Sequence, residues 1–147
     1  MNNQYLSEAA KIQPLNVETA VAAQLYPTSA NFIDVSNYER FGFLIAAGAL
    51  NSALTFQVQQ ATAANGTPKD VTGAVTTVAA TDDNKWHLIE VQTSALDANN
   101  DYRFVTLKAT GAAGGDDYAA ITFIGFNADS RPVTQGSDKA AIVIVNG

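Results

Sequence analysis

The 147-residue chain has no cysteine, one histidine, one tryptophan, one methionine and four prolines. Without cysteine, disulfides and thiolate–metal sites are excluded, which suits a reducing interior or a particle assembled there. A single histidine, His87, argues against a dedicated zinc or iron centre, so no cofactor is expected. Basic residues are scarce: eight Lys and Arg stand singly against fourteen Asp and Glu, for a formal net charge of −6. No basic run could neutralise several phosphates or grip an anionic bilayer, so neither nucleic acid nor membrane is expected as a partner. The longest apolar run, Phe41 to Leu50, contains two glycines and is roughly half of what a membrane span needs. The N-terminus lacks a cationic segment leading into an apolar one, so no signal peptide is expected and the protein should be soluble. Helix-length periodic segments are also missing, which disfavours an α/β sheet.

What is present is a rhythm of two. In Tyr38-Glu-Arg-Phe-Gly-Phe-Leu-Ile-Ala-Ala47, Phe41, Phe43 and Ile45 share a face. In Leu54-Thr-Phe-Gln-Val-Gln-Gln60, Leu54, Phe56 and Val58 do the same. This is the pattern of half-buried strands, and the short Gly48–Ala53 connection suggests that the two form a hairpin. Further strands are expected near 85–92, 102–109, 118–126 and 140–145, with a first strand at Thr19–Tyr26 and a Thr-rich edge strand at Val71–Ala80. Turn-forming clusters separate them, notably Asp34–Asn37, Ala61–Asp70, Thr81–Asn84 and Asp97–Asp101. The expected fold is all-β, an antiparallel, jelly-roll-like β-sandwich. Residues 1–18 read as an N-terminal arm and 19–147 as a single sandwich domain. The core should comprise Phe41, Phe43, Ile45, Phe56, Val58, Ile89, Val91, Val105, Leu107, Phe123 and Ile142. In Ile121–Phe126 both faces are apolar, so either could point inward.

No constellation carries catalytic chemistry, and no enzyme is expected. Asp97, Asn99 and Asp101 have the first spacings of a calcium loop, but Tyr102 replaces the turn glycine and Lys108 the bidentate Glu, so a turn is the better reading. Asp82-Asp83 and Asp116-Asp117 are carboxylate pairs on loops, useful for glycoside hydrolysis only across a cleft. His87 has no nucleophile elbow beside it. Gly111–Gly115 is followed by two aspartates that would repel phosphate. Asn65-Gly-Thr67 matches a glycosylation acceptor and reads as a turn. Trp86, Tyr102 and Tyr118 could build an aromatic platform for sugar, with ordinary packing as the alternative.

Asp34-Val-Ser-Asn-Tyr-Glu-Arg-Phe-Gly-Phe-Leu-Ile-Ala-Ala-Gly-Ala-Leu50 and Leu54–Ala61, followed by Asp70-Val-Thr-Gly-Ala74, Leu88–Val91 and Tyr102–Leu107, resemble small virion proteins of tailed bacteriophages. The resemblance spans roughly residues 30–128 and rests on structural residues. It implies a capsid decoration, or cement, protein that binds and stabilises the shell. The implied partner is the major capsid protein, the implied state a homotrimer, and the implied location the virion, assembled in the bacterial host cytoplasm. Oligomerisation would also cover edge strands. Tyr5, Leu6, Ile12 and Leu15, the strong apolar anchors of the arm, are the candidate capsid or subunit contacts. A host-recognition or carbohydrate-binding module on the virion is the alternative reading, and a small glycosidase the third.

Overall fold

Among the described residues, nine strands wind into two packed antiparallel sheets: β1 (Lys11–Asn16), β2 (Leu25–Tyr26), β3 (Ile33–Asp34), β4 (Tyr38–Ala47), β5 (Leu54–Ala61), β6 (Lys69–Val78), β7 (Trp86–Gln92), β8 (Phe104–Thr110) and β9 (Ala119–Ala128). A single turn of helix, α1 (Leu6–Ala9), precedes β1. The computed structural model describes residues 4–17, 19–111, 116–136 and 139–145. The first sheet has the order β1-β9-β4-β7; the second runs β2-β8-β5-β6, with β3 also paired to β8. With β2 and β3 taken as one interrupted strand, every connection except β5–β6 crosses between the sheets. That is jelly-roll winding, and the all-β sandwich expected from the alternation is what the chain forms.

The strands near 38–47, 53–61, 85–92, 102–109 and 118–126 are present, and β6 is the expected edge strand. Between them sit Phe41, Phe43, Ile45, Phe56, Val58, Ile89, Val91, Val105, Leu107 and Phe123, all buried. Phe41 stacks on Phe123 at 6.2 Å, and Phe43 meets Phe123 edge-on at 5.6 Å, so β4 and β9 share an aromatic centre. In β9 the ambiguity resolves inward for Ile121 and Phe123, leaving Ile124 and Phe126 half-buried on the outer side.

Four expectations need correction. β4 and β5 are not a hairpin. β4 pairs with β7 and β9, and β5 with β6 and β8, so residues 48–53 arch from one sheet to the other. Both strands bury one apolar face completely, and two such faces are satisfied by facing each other across the core. The arch is held by the buried Asp117 carboxylate, whose Oδ1 accepts from Asn51 N at 2.7 Å and Ser52 N at 2.8 Å. Within Thr19–Tyr26, only Leu25–Tyr26 is strand. Lys11–Asn16, expected in an arm, is an edge strand of the first sheet, in register with β9 from Lys11↔Gly125 to Asn16↔Ile121. Its Pro14 occupies an edge position, where no ladder donor is required. Finally, Ala140–Val145 is not a strand, and Ile142 is 46% exposed instead of buried. The adjoining edge offers it little: Ile12 N already donates to Gln135 Oε1 at 3.0 Å, and Pro14 has no N–H.

Candidate contact surface

The outer faces of the two sheets differ in chemistry. On the second sheet, register places Thr55 beside Thr77 and Thr110, and Gln57 beside Lys108 and the exposed Val75, while the Gln59–Thr106 pair is buried. That face is mostly polar. On the first sheet the corresponding rows are Ile12–Ile124–Gly42–Glu90, Pro14–Thr122–Leu44–Leu88 and Ala120–Ala46–Trp86. Leu88 is 45% exposed and Trp86 68%. Beyond these rows the face turns polar, at Gln92–Arg40–Phe126 and the Arg40–Glu90 ion pair, and its contiguous apolar part is a candidate contact surface, since single exposed apolar residues are ordinary but contiguous ones are not.

The surface continues at the β1 edge. Gln135 laces the N-terminal segment down, its Nε2 donating to Ser7 O at 2.9 Å and Ala10 O at 2.6 Å. Val133 N donates to Glu8 O at 2.9 Å, and Arg131 Nη1 donates to Gln4 Oε1. Beyond this, Ala140–Val145 lies against Tyr5, Leu6, Ile12 and Pro14, enclosing an apolar groove of about 640 Å³. Of the four expected contact residues, Tyr5, Leu6 and Ile12 line this groove and are exposed. Leu15 is not with them; it is half-buried and packs against the core. Alternation along β1 sends Ile12 and Leu15 to different faces. Trp86, Leu88 and Leu44 were not among the expected contacts. Their signal was the same two-faced apolarity that marked Ile121–Phe126.

The polar candidates serve architecture. His87 Nδ1 lies 2.8 Å from Thr76 Oγ1, and its Nε2 lies 3.3 Å from Asp82 Oδ2, a chain that ties β6 to β7 where the sheets meet. Asp82 also accepts from Lys85 Nζ and Ala79 N, both at 3.0 Å; the Lys85 hydrogen bond is the chief reason its carboxyl is held below the ordinary range. Asp83 Oδ1 accepts from Leu50 N. The carboxylate of Asp97, in the segment read as a turn despite its calcium-loop spacing, is taken by Lys69 Nζ at 2.6 Å and by Asn100. Among the described residues no cluster of three His, Cys, Asp or Glu could hold a metal ion.

Asp70-Val-Thr-Gly-Ala74 is a bulge in β6, where pairing jumps from Gln57↔Val75 to Gln59↔Asp70. Gly73 supplies a φ of +80°, and Gln57 Nε2 donates to the carbonyls of Val71 and Ala74 at 2.9 and 3.1 Å. Of the three aromatics, Trp86 and Tyr118 are exposed at one end of the first sheet. Tyr102 is elsewhere, with Lys69 Nζ 3.9 Å from its ring centre. Gly111 begins a segment whose residues 112–115 lie outside those described.

No family model matches this sequence, and no curated protein matches it. Among solved structures, the chain is similar in fold to the PBSX exported protein XepA, at 13% identity and a TM-score of 0.55. The likeness takes in 99% of this chain but only 46% of that protein, so the chain spans less than half its length.

Proposed function

We propose that this chain is a structural protein of a tailed-phage particle, a capsid decoration protein that binds the major capsid protein, stabilises the shell and carries out no turnover. The observation that carries the reading is the one-sided apolar surface: the outer face of β1-β9-β4-β7 together with the terminal groove of Tyr5, Leu6 and Ile12. A monomer that lived alone would gain nothing by leaving that face uncovered while its opposite face is mostly polar. Two further points support a phage setting. The motifs of β4, β5 and the β6 bulge resemble those of small virion proteins, and the neighbour in fold belongs to phage PBSX. Assembly as a homotrimer would cover part of the same surface and shield the edges of β1 and β7.

The experiment is to mix the purified protein with capsids lacking it and to follow co-sedimentation and the shell's disruption temperature. Binding with a raised disruption temperature is expected, and Leu6→Glu, at a position 67% exposed, should abolish both without unfolding the protein. No co-sedimentation at micromolar protein would reject the reading. Because the PBSX neighbour is described as exported, recovery of the native protein from the medium instead of from purified particles would favour an exported role.

A further inference from the structure

The terminal groove has two walls, and they are held to the molecule in different ways. Its floor is built into the fold: Tyr5 and Leu6 open α1, while Ile12 and Pro14 belong to β1, which pairs along β9. Its other wall is Ala140–Val145. Among the described residues this segment makes no hydrogen bond with the rest of the chain, so side-chain contact alone keeps it in place. That contact is incomplete. Ile142 and Ile144 remain 46% and 44% exposed, Tyr5 and Ile12 are 40% exposed, and a space of about 640 Å³ lies between the walls. A void of that size has no place in a packed interior. Each wall therefore gains only part of the stabilisation that full burial of its apolar surface would bring.

A tether keeps so weak a contact in being. Gln135 is fixed at three points, its side chain donating to Ser7 O and Ala10 O and accepting from Ile12 N. Lys139 N then donates to Gly136 O at 3.2 Å, which turns the chain just before the segment begins. A tether this short holds the segment at high effective concentration beside the floor.

We infer that Ala140–Val145 is a flap that shields the groove in the free protein and gives way to a partner seated on Tyr5, Leu6 and Ile12. The flap carries no charge and meets an uncharged floor, so its natural cover is the chain's own groove. Opening it breaks no backbone hydrogen bond and bares side chains already half in water, which places it among the cheapest local openings of the molecule. A partner that buries the floor completely gains more than the flap gives up. While closed, the flap lowers the apparent affinity of the groove in proportion to the fraction of molecules it shuts. The inference rests on the function proposed above only for the identity of the competing partner; closure is a property of the free chain.

The first test uses free protein. Val143 is 85% exposed and the chain has no cysteine, so Val143→Cys gives a single site for a nitroxide label. The label should broaden the methyl resonances of Leu6 and Ile12 and leave sharp that of Val75, on β6 of the other sheet. The second test compares the native chain with a chain ending at Lys139 and with the full-length variant Ile142→Ser/Ile144→Ser. Both should keep the native thermal unfolding curve. Each should bind the apolar dye bis-ANS, and capsids lacking the protein, about threefold more tightly, the gain expected if the flap is closed in roughly two molecules of three. Leu6→Glu should remove the gain in dye binding. Leu6 and Ile12 resonances untouched by the label, or flap variants that bind the dye no better than the native chain, overturn the inference. Stronger dye binding without any capsid binding leaves the flap standing and rejects the decoration reading. Capsid binding that the flap variants do not strengthen overturns the flap and leaves the decoration reading standing.

Discussion

At Gly125 a hydrogen stands where any side chain would meet the ring of Tyr38: a Cβ there would lie 2.9 Å from Cγ and 3.0 Å from both Cδ atoms. The tyrosine ring is buried and packs edge-on against Phe123 at 6.4 Å, so it cannot swing aside freely. Gly125→Ala should therefore destabilise the protein by about 1–3 kcal/mol in denaturant unfolding, as overpacking does. Single residues also set the pH response. Lys69 Nζ, hydrogen-bonded to Asp97, holds the Asp97 carboxyl below its ordinary range, with Asn100 adding to the effect. The lowered folded pKa means that the contact contributes stability above the ordinary carboxylate pKa and loses it as pH falls through the folded value. On the lysine side the same hydrogen bond raises the Lys69 pKa, so its contribution is full below the ordinary lysine pKa and fades as pH rises through the folded value. An NMR titration should find the Asp97 carboxyl ionising below a typical aspartate, and Lys69→Met should return it toward normal.

At the scale of elements, β1 matters most for how the protein can be dissected. It pairs along β9 and receives Gln135 on its outer edge, so it belongs to the sandwich. Deleting residues 2–17 exposes the β9 ladder and the outer flank of Ile121 and Phe123. The truncated chain should unfold at lower denaturant and aggregate more readily than the native one, as measured by chemical denaturation and light scattering. Leu6→Glu leaves that ladder intact and so separates surface from scaffold. How legible the elements were differs along the chain. β4, β5, β7, β8 and β9 show in the alternation because each carries a row of buried apolar side chains two residues apart, although β5 also buries Gln59 and β8 Thr106 on the other face. β1 was obscured by Pro14, which forbids a central strand but is compatible with an edge. The bulge at Asp70–Ala74 had its motif in view, yet the Gln57 side chain that caps it comes from a different strand.

For the molecule as a whole, the contrast between a mostly polar outer face on the second sheet and a largely apolar one on the first gives the sandwich a sidedness. Trp86, the only tryptophan, lies on the apolar side and is 68% exposed. Free protein should emit as a solvent-exposed indole. Binding to capsid through this face should shift the emission to the blue and protect it from a soluble quencher. Unchanged emission in a bound complex would move the contact to the terminal groove or the loops. A shift on adding glycans in the absence of capsid would favour a sugar-binding module.

From its sequence alone the chain was committed to strands, to a sandwich, and to the centre of its core, because a period of two with one apolar face has few other solutions; Val21, Tyr26, Val35, Leu50 and Leu96, buried from loops and short pieces, carry no such period. The absence of cysteine and the isolation of its one histidine were equally plain there. Tertiary structure decided the rest. Whether β4 and β5 pair or face each other depends on which strands compete for their edges, and a six-residue connection permits both. Whether Ala140–Val145 becomes a strand depends on a free edge, and the nearest is taken by a side chain 123 residues distant from Ile12. The candidate contact surface, likewise, is an alignment of residues from β1, β9, β4 and β7. It exists only once register has set Ile12, Ile124, Leu44, Leu88 and Trp86 on one side, since apolarity is written residue by residue but a surface is made by neighbours far apart in the chain.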